Sequence, residues 1–346
     1  MSVAAPTRPG AAIARRPAGV RVLWLIGGCV AVLVLAAASV SFGVRAVGVA
    51  DILAGLTGHA DTIAQAAVLK RVPRTVLAAL VGAALALSGA AMQAVTRNPI
   101  ADPGILGVTN GASLAVVIGL AFFGLTGTWG QIAVAVAGAA LAAVFVYAVG
   151  SLGRGGATPL KLTLAGAATS AAFGSLISAI MLPRVDLLQS WQSWQVGGVG
   201  GADWTKIALL VPVLAAGALI CVACARGMNS LALGDDMAAG LGERVFRTRL
   251  IAALGAVVLA GAATAIAGPI GFVGLVIPHL CRMLVGTDHR WLLPISALTG
   301  ATLLLAADVI GRVVAIDQEI QVGIITAVIG APFFIWIVRR QKVREL

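Results

Sequence analysis

Apolar runs of about twenty residues, separated by short polar breaks, recur along almost the whole chain. Roughly 20 consecutive apolar residues make a helix long enough to cross a bilayer. By that measure ten spans are predicted, at about 22–43, 75–96, 104–124, 130–150, 161–182, 204–225, 249–267, 271–285, 292–311 and 321–338. The expected fold class is all-α, a polytopic membrane protein with one transmembrane domain over 22–340. A polar, disordered cytoplasmic tail (1–21) precedes it and a short one (341–346) follows. The first apolar run exceeds the 7–15-residue core of a cleaved signal peptide, so it reads as a retained helix.

The second span is unusual in its small residues. Gly82, Ala83, Ala84, Ala86, Ser88, Gly89, Ala90 and Ala91 all lie within Thr75–Thr96, and small side chains let other helices approach the backbone. This helix is expected inside the bundle, away from lipid. Part of its pattern returns: Gly82-Ala83-Ala84-x-Ala-x-x-Gly89 matches Gly261-Ala262-Ala263-x-Ala-x-x-Gly268. Each copy is followed 18 residues later by another glycine, Gly107 and Gly286. A weak internal repeat follows, of the kind found in transporter folds.

Gly268 to His279 holds three glycines and two prolines in twelve membrane-embedded residues. Pro278 removes a backbone donor, so this element is expected to be broken and buried, with His279 meeting a carbonyl that the proline frees. The glycine spacing follows no strand of a βα unit, which excludes a dinucleotide fingerprint.

Composition sharpens the membrane reading. Sixty per cent of residues are hydrophobic, 11% are charged and the mean hydropathy is +1.03, where a soluble domain carries about 25% charged residues. A net charge of +11 raises the question of nucleic acid, but the basic residues are spread among loops, as membrane topology requires. With the N-terminus inside, the inner loops and tails hold 17 Lys and Arg and the outer loops 7. That bias places both termini in the cytoplasm.

Some charges run against it. Arg71, Arg74 and Arg312 fall on the outer side, where they fit either lipid-phosphate contact or docking of an acidic partner. Asp308 is the most deeply embedded acid, and Arg312 stands one turn away as an ion-pair partner. On the inner side, the longest loop contains Leu231, Leu233, Gly234, Asp235, Asp236, Met237, Ala238, Leu241 and Gly242. Two acids after a glycine mark a helix start, and Gly242 can end it. Such a short helix suits the lipid interface, or serves as a knob for a groove on a cytoplasmic partner.

Catalytic and metal chemistry find little support. Cys221-x-x-Cys224 lies on a membrane helix with no βαβ context, so it reads as packing. His59, His279 and His289 have no paired spacing for a metal. No Gly-x-x-x-x-Gly-Lys-[Ser/Thr] occurs, so any uphill transport draws on a partner for energy. The rival class is an ion-coupled secondary carrier; a third is a scaffold without transport.

At this point the motifs carry a resemblance. Arg71-x-Pro73-Arg74, the Gly82–Gly89 helix with Gln93, Arg97-Asn98-Pro99-x-Ala101-x-Pro103, Leu106-Gly107 and Asn110-Gly111 resemble the FecCD family. So do Leu231-Ala232-Leu233-Gly234 with Leu241-Gly242, Gly271-Phe272-Val273-Gly274-Leu275 with Pro278-His279 and Arg282, and Asp288-His289-Arg290. Ala307-Asp308, Arg312, Glu319, Gly323 and Gly330-Ala331-Pro332-Phe333 complete the series. These are permease subunits of ABC importers for ferric siderophores, haem and vitamin B12.

The resemblance implies a ten-helix, multi-pass subunit of the inner membrane that pairs with a second copy or a paralogue. It implies two separate ATPase subunits that carry the ATP and magnesium, docked on Leu231–Gly242, so that this chain holds no cofactor or metal and is not an enzyme. An acidic substrate-binding protein would meet Arg71, Arg74 and Arg312 and deliver a metal chelate, with no role for nucleic acid. Gly82, Gly89, Gln93, Asn98, Pro99, Gly107, Asn110, Gly111, Gly166, Gly271, Gly274, Pro278 and His279 are expected in the pathway or in helix packing. One departure stands out, Gln321 where the family often has proline, and it bears on the shape of that loop.

Overall fold

The computed structural model describes residues 17–43, 47–58, 61–104, 106–152, 158–185, 191–192, 194–314 and 319–342. The expected tail over 1–16 and residues Arg45, His59, Arg154 and Arg344 lie outside the described residues. Every described element is helical. Ten helices correspond to the ten expected spans: α1 (Ala18–Ser41), α3 (Ile63–Thr96), α4 (Val108–Phe123), α5 (Thr128–Ser151), α6 (Pro159–Met181), α7 (Trp204–Ala223), α10 (Val245–Ala267), α11 (Val273–Val285), α12 (His289–Val314) and α13 (Val322–Lys342). Among the described residues, short helices between them are α2 (Val49–Leu56), α8 (Ala225–Leu231) and α9 (Asp235–Gly240).

The largest boundary difference concerns α3, which starts at Ile63, twelve residues before the apolar run. Hydropathy marks the part of a helix inside lipid, whereas capping decides where the helix begins. Thr62 Oγ1 accepts the Gln65 backbone N–H at 3.2 Å, and Gln65 Oε1 accepts the Thr62 N–H at 3.4 Å, a reciprocal cap that satisfies two otherwise unpaired donors. Pro73 sits inside the continuing helix. Asp203 and Thr158 cap α7 and α6 in the simpler one-bond form.

The core is built around α3, which packs against α1, α7, α10, α11 and α12, and is buried along most of its length. Its glycines explain how. A Cβ at Gly82 would strike the Gly300 carbonyl of α12, and one at Gly89 would strike the backbone of Gly274 on α11. The small-residue pattern is thus a set of close backbone contacts within the chain. The repeated glycine motif falls on α3 and α10, the two most buried long spans. Gly89 lies mid-helix, however, while Gly268 follows the end of α10, so the copies stand at different depths.

The break expected within Gly268–His279 lies wholly at its start. Gly268 ends α10, the chain turns through Phe272 at φ 68°, and α11 then runs unbroken through Pro278. At 13 residues α11 spans only about 20 Å. Such a short helix with non-helical entry is tolerated because that entry is enclosed by protein: Gly198 N–H bonds the Ala267 carbonyl at 2.7 Å, and Trp194 Nε1–H points to the Ala265 carbonyl at 3.4 Å. Gln321 precedes α13, and its side chain lies against Gly198 of the segment that leads into α7.

Candidate functional site

The polar groups of this bundle gather at its two ends and along one internal seam. At the first end, Arg71 and Arg74 project from α3 toward Asp308 and Arg312 of α12. Asp308 is fully buried. Arg74 Nε–H donates to its Oδ1 at 2.8 Å, and Arg312 Nη2 lies 2.7 Å from its Oδ2. The ion pair expected between Asp308 and Arg312 is present, joined by a second arginine from another helix.

The last turn of α1 explains the other bonds. A helix C-terminus leaves carbonyls without intrahelical donors and carries negative partial charge. Arg312 Nη1–H donates to the Ser39 and Phe42 carbonyls at 2.9 and 3.1 Å, and its Nη2–H to Ser39 Oγ at 2.7 Å. Arg71 Nη1–H donates to the Val40 and Ser41 carbonyls, both at 3.1 Å. Two of the three arginines expected at a docking surface therefore turn inward, 8% and 3% exposed, and cap α1. Arg74 alone reaches toward the surface, where its Nη1 lies 2.5 Å from Oε2 of the half-exposed Glu319. Three arginines against two acids leave this cluster with one net positive charge.

The internal seam centres on buried Gln93 of α3. Pro278 has no N–H for the Gly274 carbonyl one turn before it. Gln93 Nε2–H supplies the missing donor, at 3.1 Å to Gly274 O and 3.3 Å to Leu275 O, while its Oε1 accepts from Arg282 Nη2. This corrects the expectation for His279: the freed carbonyl is met from another helix, 181 residues away in sequence. Nothing local to Pro278 signals that partner.

At the opposite end, Gly234 takes φ 102°, a conformation open to glycine, and turns the chain into α9. Asp235 and Asp236 occupy its first turn as expected, and Gly242, at φ 83°, follows it. Ala238 is buried, but Leu233, Met237 and Leu241 are exposed, at 58%, 62% and 66%. Asp235 holds the unit to the bundle. Arg249 of α10 donates from Nη2 and Nη1 to its two oxygens at 2.7 and 3.1 Å, and Arg97 Nη1 at the end of α3 lies 3.6 Å away. In the sequence Arg249 serves only as a topology signal and Arg97 as that and as part of the Arg97-Asn98-Pro99 motif; neither shows a partner in Asp235, which only the fold brings to both.

The same end is stitched together by Asn229 of α8, whose Nδ2–H donates to Asp288 Oδ1 at 2.7 Å and whose Oδ1 accepts the His289 backbone N–H at 2.8 Å. Arg21 of α1 adds an ion pair to Asp288 at 3.7 Å. Burial works to raise the Asp288 carboxyl, but the Asn229 and Arg290 N–H bonds and the charges of Arg290 and Arg21 outweigh it and hold it below the usual carboxylate range.

Several of the remaining expected residues make turn or packing contacts. Asn98 Oδ1 accepts the Ile100 N–H at 3.1 Å, closing the turn with Pro99. Gly107 at φ 77° opens α4, whose Asn110 points to the Ser170 carbonyl of α6 at 3.5 Å. Gly111 meets α5 at Gly138, and Gly166 lies near Gly107. Gly271 faces open space and His279 is half-buried. With α3 enclosed, the small-residue helix that remains exposed is α6, through Ala167, Ala168, Ala171, Ala172, Ser175 and Ala179.

Comparison with known proteins places this architecture. The FecCD transport family model matches residues 31–340. The ferric enterobactin transport system permease protein FepD of Escherichia coli K12 is 44% identical over 321 residues, 91% of this chain and 95% of its own length. The iron(3+)-hydroxamate import system permease protein FhuB of Bacillus subtilis 168 is 45% identical over 272 residues, 79% of this chain and 71% of its own. Among solved structures, an inward-facing metal-chelate type ABC transporter superposes with a TM-score of 0.77 at 30% identity, covering 92% of this chain and 99% of that one.

Proposed function

Because this chain belongs to the FecCD transport family, it is a multi-pass permease subunit of an ATP-driven importer and not an enzyme, and we propose that it carries an iron–siderophore-type chelate. Importers of this type combine the permease with a partner permease, an ATPase and a substrate-binding protein. The chelate assignment is supported by the ligands named for FepD and FhuB; haem and cobalamin are the alternatives, since further relatives carry those names.

The observation that carries the mechanism is α9. It is a short, glycine-bounded knob with a bare apolar tip, tied by one carboxylate to helices that run the depth of the bundle. In our reading two ATPase subunits bind ATP and magnesium and grip this knob, and their closure is passed through Asp235 to Arg97 on α3 and Arg249 on α10. Ten crossings joined by short connections return both ends of the chain to the α9 face, and the Lys and Arg excess makes that face cytoplasmic. The Arg74–Glu319 end then faces outward and receives the binding protein, whose acid takes over Arg74 from Glu319. The exposed small residues of α6 face the second permease across the pathway, where small side chains suit a wide, weakly binding route. No covalent step occurs in this chain.

Co-purification with the neighbouring ATPase and binding protein, followed by ATP hydrolysis in nanodiscs, tests the proposal. A ferric siderophore on the binding protein is expected to raise hydrolysis, and haem or cobalamin to leave it unchanged. Stimulation by either of those ligands instead would reassign the substrate, and hydrolysis indifferent to α9 substitutions would end the coupling reading.

A further inference from the structure

A cavity of about 990 Å³ opens between α5 and α10 on the α9 side, within the size range of small-molecule sites. Its walls are apolar: Ala140, Ala143 and Val144 of α5 face Leu250, Ala253 and Val257 of α10. Its rim is open to the flank, with Val144 68% and Phe246 75% exposed. Its polar groups lie together at one end, where Thr96, Arg97, Asp235 and Arg249 line it. The apolar part extends from Arg249 to Val257, about 12 Å of helix.

The charges at that end are unequal. Arg249 commits both terminal nitrogens to Asp235, while Arg97 stands at 3.6 Å from the same carboxylate and is 44% exposed. One acid against two arginines leaves a positive charge, and most of the five donors of Arg97 are unengaged by Asp235. Arg249 Nε is buried without a partner among the described residues. Arg97 occupies a left-handed backbone position, φ 48°, more usually taken by glycine or asparagine.

We propose that this cavity binds an anionic phospholipid, one acyl chain between α5 and α10 and its phosphate between Arg97 and Arg249. The apolar groove lies along two spanning helices and opens where a bilayer would be, so a lipid chain reaches it directly. Phosphate matches the guanidinium fork and forms charge-assisted hydrogen bonds with it. The same phosphate competes with Asp235 for its arginines, so a bound lipid loosens the tether of α9. The importer reading supplies only the leaflet, the cytoplasmic one; binding itself does not depend on it.

The test uses the full-length permease in nanodiscs, with photoreactive phosphatidylglycerol or phosphatidylcholine bearing the same acyl chain. Labelled peptides are mapped by mass spectrometry. Peptides carrying Val144 and Leu250 are expected to take up the glycerol lipid about fivefold more than the choline lipid, the ratio one arginine at a membrane surface supports. Arg97→Gln, a change at an exposed and loosely paired residue, should bring that ratio to about one, and Arg97→Gln with Arg249→Gln, which leaves Asp235 bare, to about one or below. Ala143→Trp should lower labelling of these peptides by both lipids and spare other helices. Equal labelling by the two lipids in the unmodified protein, or a ratio untouched by losing both arginines, would overturn the proposal. So would an unlabelled groove, which would mean that a second permease copy covers it. The readout needs neither ATPase nor uptake, so its failure and that of the importer reading are separable.

Discussion

At the Asp308 end of the bundle, the ion pairs to Asp308 are buried and doubled, shared between α3 and α12, and Arg312 also hydrogen-bonds the end of α1. At the α9 end, a single carboxylate spans two partly exposed arginines and the apolar tip beyond it is bare. The first arrangement suits a part that must keep its shape. Removing one partner of a buried set leaves an uncompensated charge, so these helices move together or not at all. The second suits a part that is pulled on, because exposed pairs contribute little stability and rearrange readily.

The sharpest way to break this contrast is Asp308→Asn, which removes the buried anion between Arg74 and Arg312 and leaves only the half-exposed Glu319 on Arg74. Thermal unfolding in detergent should show a loss of about 3–5 kcal/mol, and Asp235→Asn less than about 1 kcal/mol. Equal effects would remove the distinction. Next in size, changing Leu233, Met237 and Leu241 together to serine should cut permease-stimulated ATP hydrolysis at least about tenfold. The unfolding temperature should barely change, because all three tips are exposed.

A smaller effect is expected at Glu319. Glu319→Gln releases Arg74 and should tighten binding-protein docking about threefold at low salt, with the gain fading as salt rises. Affinity unmoved by this change would argue against Arg74 as the contact. Reversing Arg71 and Arg74 to glutamate should weaken docking and its salt dependence. The α1 carbonyls would also lose a cap and Asp308 would face a new acid, so folding has to be checked first. The smallest change is with pH. The Asp288 carboxyl sits below its usual range in the folded chain, so its contribution is present above about pH 4. It is lost as pH falls through the lowered value. Asn229→Ala should flatten that acid-side decline in an unfolding series and leave the curve between pH 7 and 9 as it is in the unmodified chain.

Much of this was legible in local pattern. The ten spans followed from runs of apolar residues, and the glycines of α3 foretold close helix approach. The α9 boundaries followed from Gly234, the two acids and Gly242, all neighbours in sequence. Less was legible where a partner lies far along the chain. Asp308 and Arg312 are one turn apart and could be paired on sight, but Arg74 stands 234 residues from the same acid. Arg71 and Arg312 read as outward charges because their loops are on the outer side, and nothing nearby shows that the end of α1 needs donors. Adjacency in sequence points to His279 for the carbonyl freed by Pro278, but the donor that reaches that carbonyl is Gln93 of another helix.

The sequence by itself determined that the chain crosses a membrane many times, where the glycine-rich approaches lie and that α9 stands out as a bounded unit. These depend on hydropathy, helix caps and backbone freedom, which act over a few residues. Tertiary structure alone decided which charges are locked and which are free, since burial and pairing depend on what other helices bring to the same place. Gln93 bridging α3 to α11 and the arginines closing the end of α1 belong to that second class. In a bilayer core an unpaired polar group has no water to turn to, so its partner must come from whichever helix the fold sets beside it.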